Sequence, residues 1–127
     1  MSNITAVITG AVIALSPAVP ARHSGNGTTS LQLTLTHPGR TTSGTHAVTL
    51  TCDPPGGRHP DAARACSELE GSGGKFAHAP DGRMCTQVYA PVVAQAKGRW
   101  HGNPVSFHAH YANDCAMHSR TGSVFAF

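Results

Sequence analysis

Four cysteines, Cys52, Cys66, Cys85 and Cys115, and nine histidines are the residues of this 127-residue chain with the most reactive side chains. Three chemistries compete for them. A thiol enzyme needs a free cysteine beside a base, and Cys85 or Cys115 with a histidine and Asp114 supplies the parts on paper. A metal site needs converging ligands: His108 and His110 fall on one face of an alternating segment, with His101 and His118 as further candidates. No Asp or Glu accompanies that pair as a third ligand, and strand alternation alone produces it, so solvated surface histidines are the better reading. The third chemistry is oxidation. No C-x-x-C pair is present, which argues against a zinc ribbon or a thioredoxin-like site, and an even count in a small chain favours two disulfides. Such bridges would remove the thiol nucleophile.

Beside one of these cysteines runs Met84-Cys85-Thr86-Gln87-Val88-Tyr89-Ala90-Pro91, a stretch without charge. Met84 at its start is apolar, yet its loop position speaks against the core. If Cys85 is oxidised, it anchors a segment suited to being gripped by another protein.

The elements that position this segment follow from periodicity. Leu31, Leu33 and Leu35 alternate with Gln32, Thr34 and Thr36, so one strand face carries three leucines. Val48, Leu50 and Cys52 repeat the pattern and put Cys52 on the core side. Asp53-Pro54-Pro55-Gly56-Gly57 breaks that strand. From Pro60 the period changes: Ala62, Ala65, Cys66 and Leu69 mark a short amphipathic helix, with Pro60 in its first turn and Gly71 at its end. Ser72 to Gly82 is a long Gly- and Pro-rich loop that delivers the Met84 segment. Pro91 to Lys97 reads as a strand, Gly102-Asn103 as a turn, and Val105, Phe107, Ala109 and Tyr111 as the apolar face of an antiparallel neighbour. Trp100 and Tyr111 read as core. Asn113 to His118 suggests one helical turn, and Val124 to Phe127 an apolar terminal strand. The class is α+β, an antiparallel sheet with a covering helix.

Ile4 to Leu15 is an apolar run followed by Ser16-Pro17-Ala18-Val19-Pro20-Ala21, where Val19 and Ala21 suit a small-residue cleavage site. Residues 1–21 therefore read as a signal-like segment, shortened at its start, where Met1-Ser2-Asn3 lacks the usual Lys or Arg. The run is too short to span a membrane. Residues 22–29 read as a flexible lead-in and residues 30–127 as one secreted domain. A net charge of +3 with only 12% charged residues and no Lys/Arg block argues against nucleic acid as a partner.

Four cysteines allow three connectivities. The sequence-local choice would restrict the unfolded chain by roughly 3 kcal/mol for Cys52 with Cys66 and roughly 3.7 kcal/mol for Cys85 with Cys115 in the loop-entropy model.

Several separated motifs, in order, resemble the Streptomyces subtilisin inhibitor family. They are His46-Ala47-Val48-Thr49-Leu50-Thr51-Cys52, the helix with Ala65-Cys66, Met84-Cys85 through Val88-Tyr89, Tyr111-Ala112-Asn113-Asp114-Cys115-Ala116-Met117, and the ending Gly122-Ser123-Val124-Phe125-Ala126-Phe127. The resemblance runs from about Ser30 to Phe127. It implies a five-stranded antiparallel sheet with one main and one short helix, the two local disulfides, a homodimer formed through the sheet, no cofactor, and inhibition of subtilisin-like serine proteases. It further implies that Gln87-Val88 is the scissile bond, that Met84 to Ala90 contacts the protease with Met84 in an apolar subsite, and that Asn113 braces the loop. Some members of such a family also restrain secreted metalloproteases through another surface.

Three residues depart from the family pattern. Thr86 stands where proline is common, which frees one backbone dihedral. Gln87 replaces the more usual Met, Leu or Lys; it carries no charge for a trypsin-type pocket and must desolvate its amide in an apolar one. Gln32 replaces an aliphatic residue on the outer sheet face, which weakens the case for the dimer.

Overall fold

In the computed structural model, residues 27–39 and 44–127 are described. The signal-like segment and residues 22–26 of the lead-in lie outside them. Strand β1 spans Thr29–Thr36, β2 Thr45–Cys52, β3 Gly56–Gly57, β4 Val92–Trp100 and β5 Asn103–Tyr111; helix α1 spans Ala62–Ser72 and α2 Asp114–Thr121. All pairings are antiparallel, in the order β3-β2-β1-β4-β5.

The alternation read from the sequence sorts the sheet into two faces. Leu31, Leu33 and Leu35 of β1, Leu50 and Cys52 of β2, and Val92, Ala94 and Ala96 of β4 are buried on one face. Ala65, Cys66 and Leu69 of α1 and Met117 of α2 close over that face and complete the core. Trp100 and Tyr111 pack against it, half-buried. Gln32, Thr49, His108 and His110 are exposed on the other side, where no helix lies. The register places Leu33 opposite Val48 and Ala96, so the central strand joins both halves of the core. At Gly98 a Cβ would lie 2.1 Å from the Ser30 carbonyl oxygen, so only glycine lets β1 and β4 approach there.

Several boundaries differ from the sequence reading. The segment 124–127 is not a strand. Val124 and Phe125 are buried, but Phe125 stacks among Phe76, Phe107 and Phe127 with ring centroids 5.9–6.4 Å apart, and the Val124 carbonyl accepts a hydrogen bond from His59 Nε2 at 2.9 Å. A short apolar run fits a buried turn as well as a strand. The fifth strand is instead Gly56–Gly57, inside the stretch expected only to break β2; it doubles back onto Leu50 and Thr51. Strand β1 begins at Thr29, and just before it the Thr28 carbonyl accepts from the Gly102 N–H at 2.9 Å, tying it to the β4–β5 turn. Asp61 precedes helix α1 at the N-cap position without a side-chain capping bond, Pro60 lies outside the helix, and the C-cap is Gly73 in the left-handed region, two residues beyond the expected Gly71. Helix α2 runs on to Thr121, well past one turn.

Candidate functional site

Between α1 and β4, residues 75–91 form no helix or strand. Such a segment loses its shape unless something other than a backbone ladder fixes it. Here the fixings come at short intervals. Phe76 is buried, with its ring 5.3 Å from that of Phe107. The His78 N–H donates to the Arg120 carbonyl at 2.8 Å and the Asp81 N–H to the Ser119 carbonyl at 3.0 Å, so the incoming leg lies along the C-terminal half of α2. Arg83 then grips Asp81 in a two-pronged pair, Nε to Oδ1 at 3.1 Å and Nη2 to Oδ2 at 2.7 Å. The guanidinium's hydrogen bonds hold the Asp81 carboxyl well below the ordinary carboxylate range, at about 2.

Past this clamp the chain emerges. Met84 is 93% exposed, Val88 60% and Tyr89 78%, with Thr86 and Gln87 exposed between them. Cys85 is half-buried because its side chain turns inward to a disulfide with Cys115 in the first turn of α2. The outgoing leg is held where the Ala90 N–H donates to the Ala112 carbonyl at 2.8 Å.

Asn113 joins the two halves of the site. Its Oδ1 accepts from the Ala116 N–H at 2.8 Å and so caps α2, which leaves Nδ2 to donate to the Val88 carbonyl at 2.7 Å and the Thr86 carbonyl at 3.3 Å. A helix cap and a loop brace are the same amide. The two carbonyls gripped lie on either side of the Gln87 carbonyl, which neither bond uses. Thr86, Gln87, Val88, Asn113 and Ala116 line a shallow hollow under this part of the loop.

The other chemistries find no support here. Cys52 is bonded to Cys66 and Cys85 to Cys115, leaving no free cysteine for a thiol nucleophile. His108 and His110 do lie together, ring centroids 5.2 Å apart, but His101 faces Glu70 of α1 and His118 lines a separate polar hollow with Arg64 and Arg83. Among the described residues no three His, Cys, Asp or Glu side chains gather as a metal-binding set. Sequence reasoning missed the Asp81–Arg83 clamp and the docking of Asp81 on Ser119; the Asp-Gly-Arg spelling of a tight turn, with Gly82 in the left-handed region, was the available signal.

Residues 27–113 match the family model for subtilisin inhibitor-like proteins. The chain belongs to the subtilisin inhibitor-like family. This inhibitor-like chain is 47% identical over 89 residues to subtilisin inhibitor-like protein 2 of Streptomyces rochei, covering 68% of this chain and 79% of that one. It is 39% identical over 125 residues to a subtilase-type protease inhibitor of Streptomyces coelicolor, covering 94% and 85% respectively, and to the same extent to a trypsin inhibitor of Streptomyces longisporus. Among solved structures it is similar to Streptomyces caespitosus sermetstatin, crystallised in complex with Bacillus licheniformis subtilisin. That similarity has a TM-score of 0.64 at 29% identity, over 80% of this chain and all of that one. The family fold, with its antiparallel sheet, two helices and two disulfides, is thus the fold of this chain. Its relatives are protease inhibitors, not enzymes.

Proposed function

We propose that this chain is a secreted inhibitor of subtilisin-like serine proteases that enters the protease cleft as a substrate would, through Met84 to Ala90, with Gln87-Val88 as the scissile bond. The observation that carries the reading is the pair of Asn113 hydrogen bonds to the Thr86 and Val88 carbonyls, which grip the chain on both sides of that bond. A segment already held in place loses little conformational entropy on docking, so more of its contact energy survives as affinity. Its backbone, outside any ladder of this chain, can add to an enzyme edge strand. The Gln87 carbonyl is left for the oxyanion donors of the protease, and Met84 for an apolar subsite.

If the protease serine attacks, the new amine of Val88 stays tethered beside the acyl group by Cys85–Cys115 and by Asn113. Its high effective concentration favours religation over loss. Gln87 directs this inhibitor to the broad pocket of subtilisin-like enzymes and away from the charged pocket of trypsin, although a relative is named a trypsin inhibitor. Nanomolar inhibition of trypsin would contradict that preference.

Two disulfides fit an oxidising, extracellular setting. A homodimer would use the uncovered sheet face, where exposed Gln32 sits at the centre. Restraint of a metalloprotease would require a surface other than this loop, and simultaneous inhibition of both protease classes would reveal it. The test of the main reading is mass spectrometry after brief exposure to excess subtilisin. A single nick after Gln87 is expected; a first cut at any other bond overturns the assignment.

A further inference from the structure

We propose that His37 is a positioning residue of the inhibitory loop: through Asp114 it fixes the first turn of α2, and with it the Asn113 amide that grips both sides of Gln87-Val88. The inference rests on the reading of that bond as the scissile one. Residues 113, 114 and 115 are consecutive, and each makes a different connection. Asn113 holds the loop carbonyls, Cys115 holds Cys85, and Asp114 Oδ1 accepts from His37 Nε2 at 2.9 Å. His37 follows directly on β1, the central strand, and its backbone N–H donates to the Gly44 carbonyl at 2.9 Å. This hydrogen bond therefore runs from the most enclosed strand of the sheet to the helix end that carries the brace.

The surroundings of the ring point the same way. The His37 side chain is 11% exposed, and its Nδ1 is buried without a hydrogen-bond partner. An unpaired buried nitrogen is unfavourable, so burial alone gives no reason for histidine here; what the ring offers is the proton on Nε2, which a carboxylate can only accept. The ring also lines a hollow with Gly39, Tyr89, Ala90 and Pro91, the outgoing leg of the loop. One side chain thus backs that leg and ties down the helix that braces the bond. Helix ends fray when their end groups are not held, and fraying at Asn113 would release the Thr86 and Val88 carbonyls.

The test compares the association rate with subtilisin, the rate of Gln87-Val88 hydrolysis in the complex, and the melting temperature. Variants are His37→Ala, His37→Gln, Asp114→Ala, Asn113→Ala and the His37→Ala/Asn113→Ala double variant. His37→Ala is expected to speed hydrolysis about threefold to tenfold, the scale of one net hydrogen bond, with an association rate within about twofold. Asp114→Ala approaches from the half-exposed side and reproduces the effect without touching the buried ring. His37→Gln, which can still donate to Asp114, restores slow hydrolysis. The double variant hydrolyses no faster than Asn113→Ala alone, because His37 acts through Asn113. Multiplicative effects in the double variant, or hydrolysis that follows the melting temperature and is not rescued by Gln, overturn the role of His37 while leaving the reactive bond in place. A wild-type cut elsewhere than after Gln87 removes the scissile-bond reading and this inference together.

Discussion

Cys52–Cys66 and Cys85–Cys115 bridge the same Cα–Cα distance, 5.7 Å, in unlike surroundings. The first lies inside the core, both cysteines being 6–7% exposed, and joins β2 to α1 among Leu50, Ala65 and Leu69. The second lies at the surface and joins a segment without a backbone ladder to the first turn of α2. In the core, close packing already fixes the geometry, and the covalent bond adds to it. Past Phe76, the exposed stretch from Met84 to Ala90 has no such packing to add to. One Arg–Asp clamp, one disulfide, one asparagine and a few backbone bonds do there what the buried side chains do in the sheet. The loop can then stay exposed and still keep its shape, which is what separates an inhibitor from a substrate.

Deleting each bridge in turn gives the largest expected contrast. In the loop-entropy model the two losses differ little in stability, roughly 3 against 3.7 kcal/mol. They should differ greatly in function. Cys85→Ser with Cys115→Ser is expected to raise the rate of cleavage after Gln87 by about 100-fold or more, because the religation advantage depends on the tether. Cys52→Ser with Cys66→Ser is expected to lower the melting temperature while leaving cleavage slow wherever the protein is still folded. Equal cleavage rates for the two, measured by mass spectrometry at a temperature where both are folded, would erase the distinction.

Asn113→Ala sharpens the same comparison with a smaller effect. Losing two neutral hydrogen bonds at about 1 kcal/mol each predicts roughly 30-fold faster cleavage. Losing the cap of α2 predicts about 1 kcal/mol of stability as well. The two readouts, cleavage kinetics and denaturant midpoint, should both move, because one amide serves both purposes.

The smallest effect concerns acid. Asp81 is held at about 2, below its ordinary 3.8, chiefly by hydrogen bonds from Arg83. The stabilisation is therefore fully present above pH ~4 and is lost as pH falls toward about 2. The pair is exposed, so the gap in melting temperature between wild type and Asp81→Asn should be small near neutrality and close across that acid window. A gap that widens on acidification would show the sign to be wrong.

Legibility in the sequence followed the strength of the local pattern. Leu31, Leu33 and Leu35, and the helical spacing of Ala62, Ala65, Cys66 and Leu69, were readable because one period governs a whole element and matches its buried face. Gly56–Gly57 was not, since a glycine pair carries no apolar signal and pairs only because the turn after Cys52 returns it to Leu50. Val124 to Phe127 misled because burial, not extension, is what its apolar residues record. In the site, the cysteine and the exposed run were visible from spacing, and Asn113 from family resemblance. His37 and Ser119 were not, because their partners lie 77 and 38 residues away and only the folded chain brings them together, while the Asp81–Arg83 pair was signalled only by the local Asp-Gly-Arg turn.

On the reading proposed above, Gln87-Val88 is held so that breaking it is reversible. The direct measurement starts from intact inhibitor and, separately, from chain already nicked after Gln87, each incubated with a catalytic amount of subtilisin. Both should converge on one ratio of intact to nicked protein, with the bond resynthesised from the nicked side. Nicked chain that stays nicked or is digested further, while intact chain drains toward it, would show the bond to be cleaved irreversibly as in a substrate.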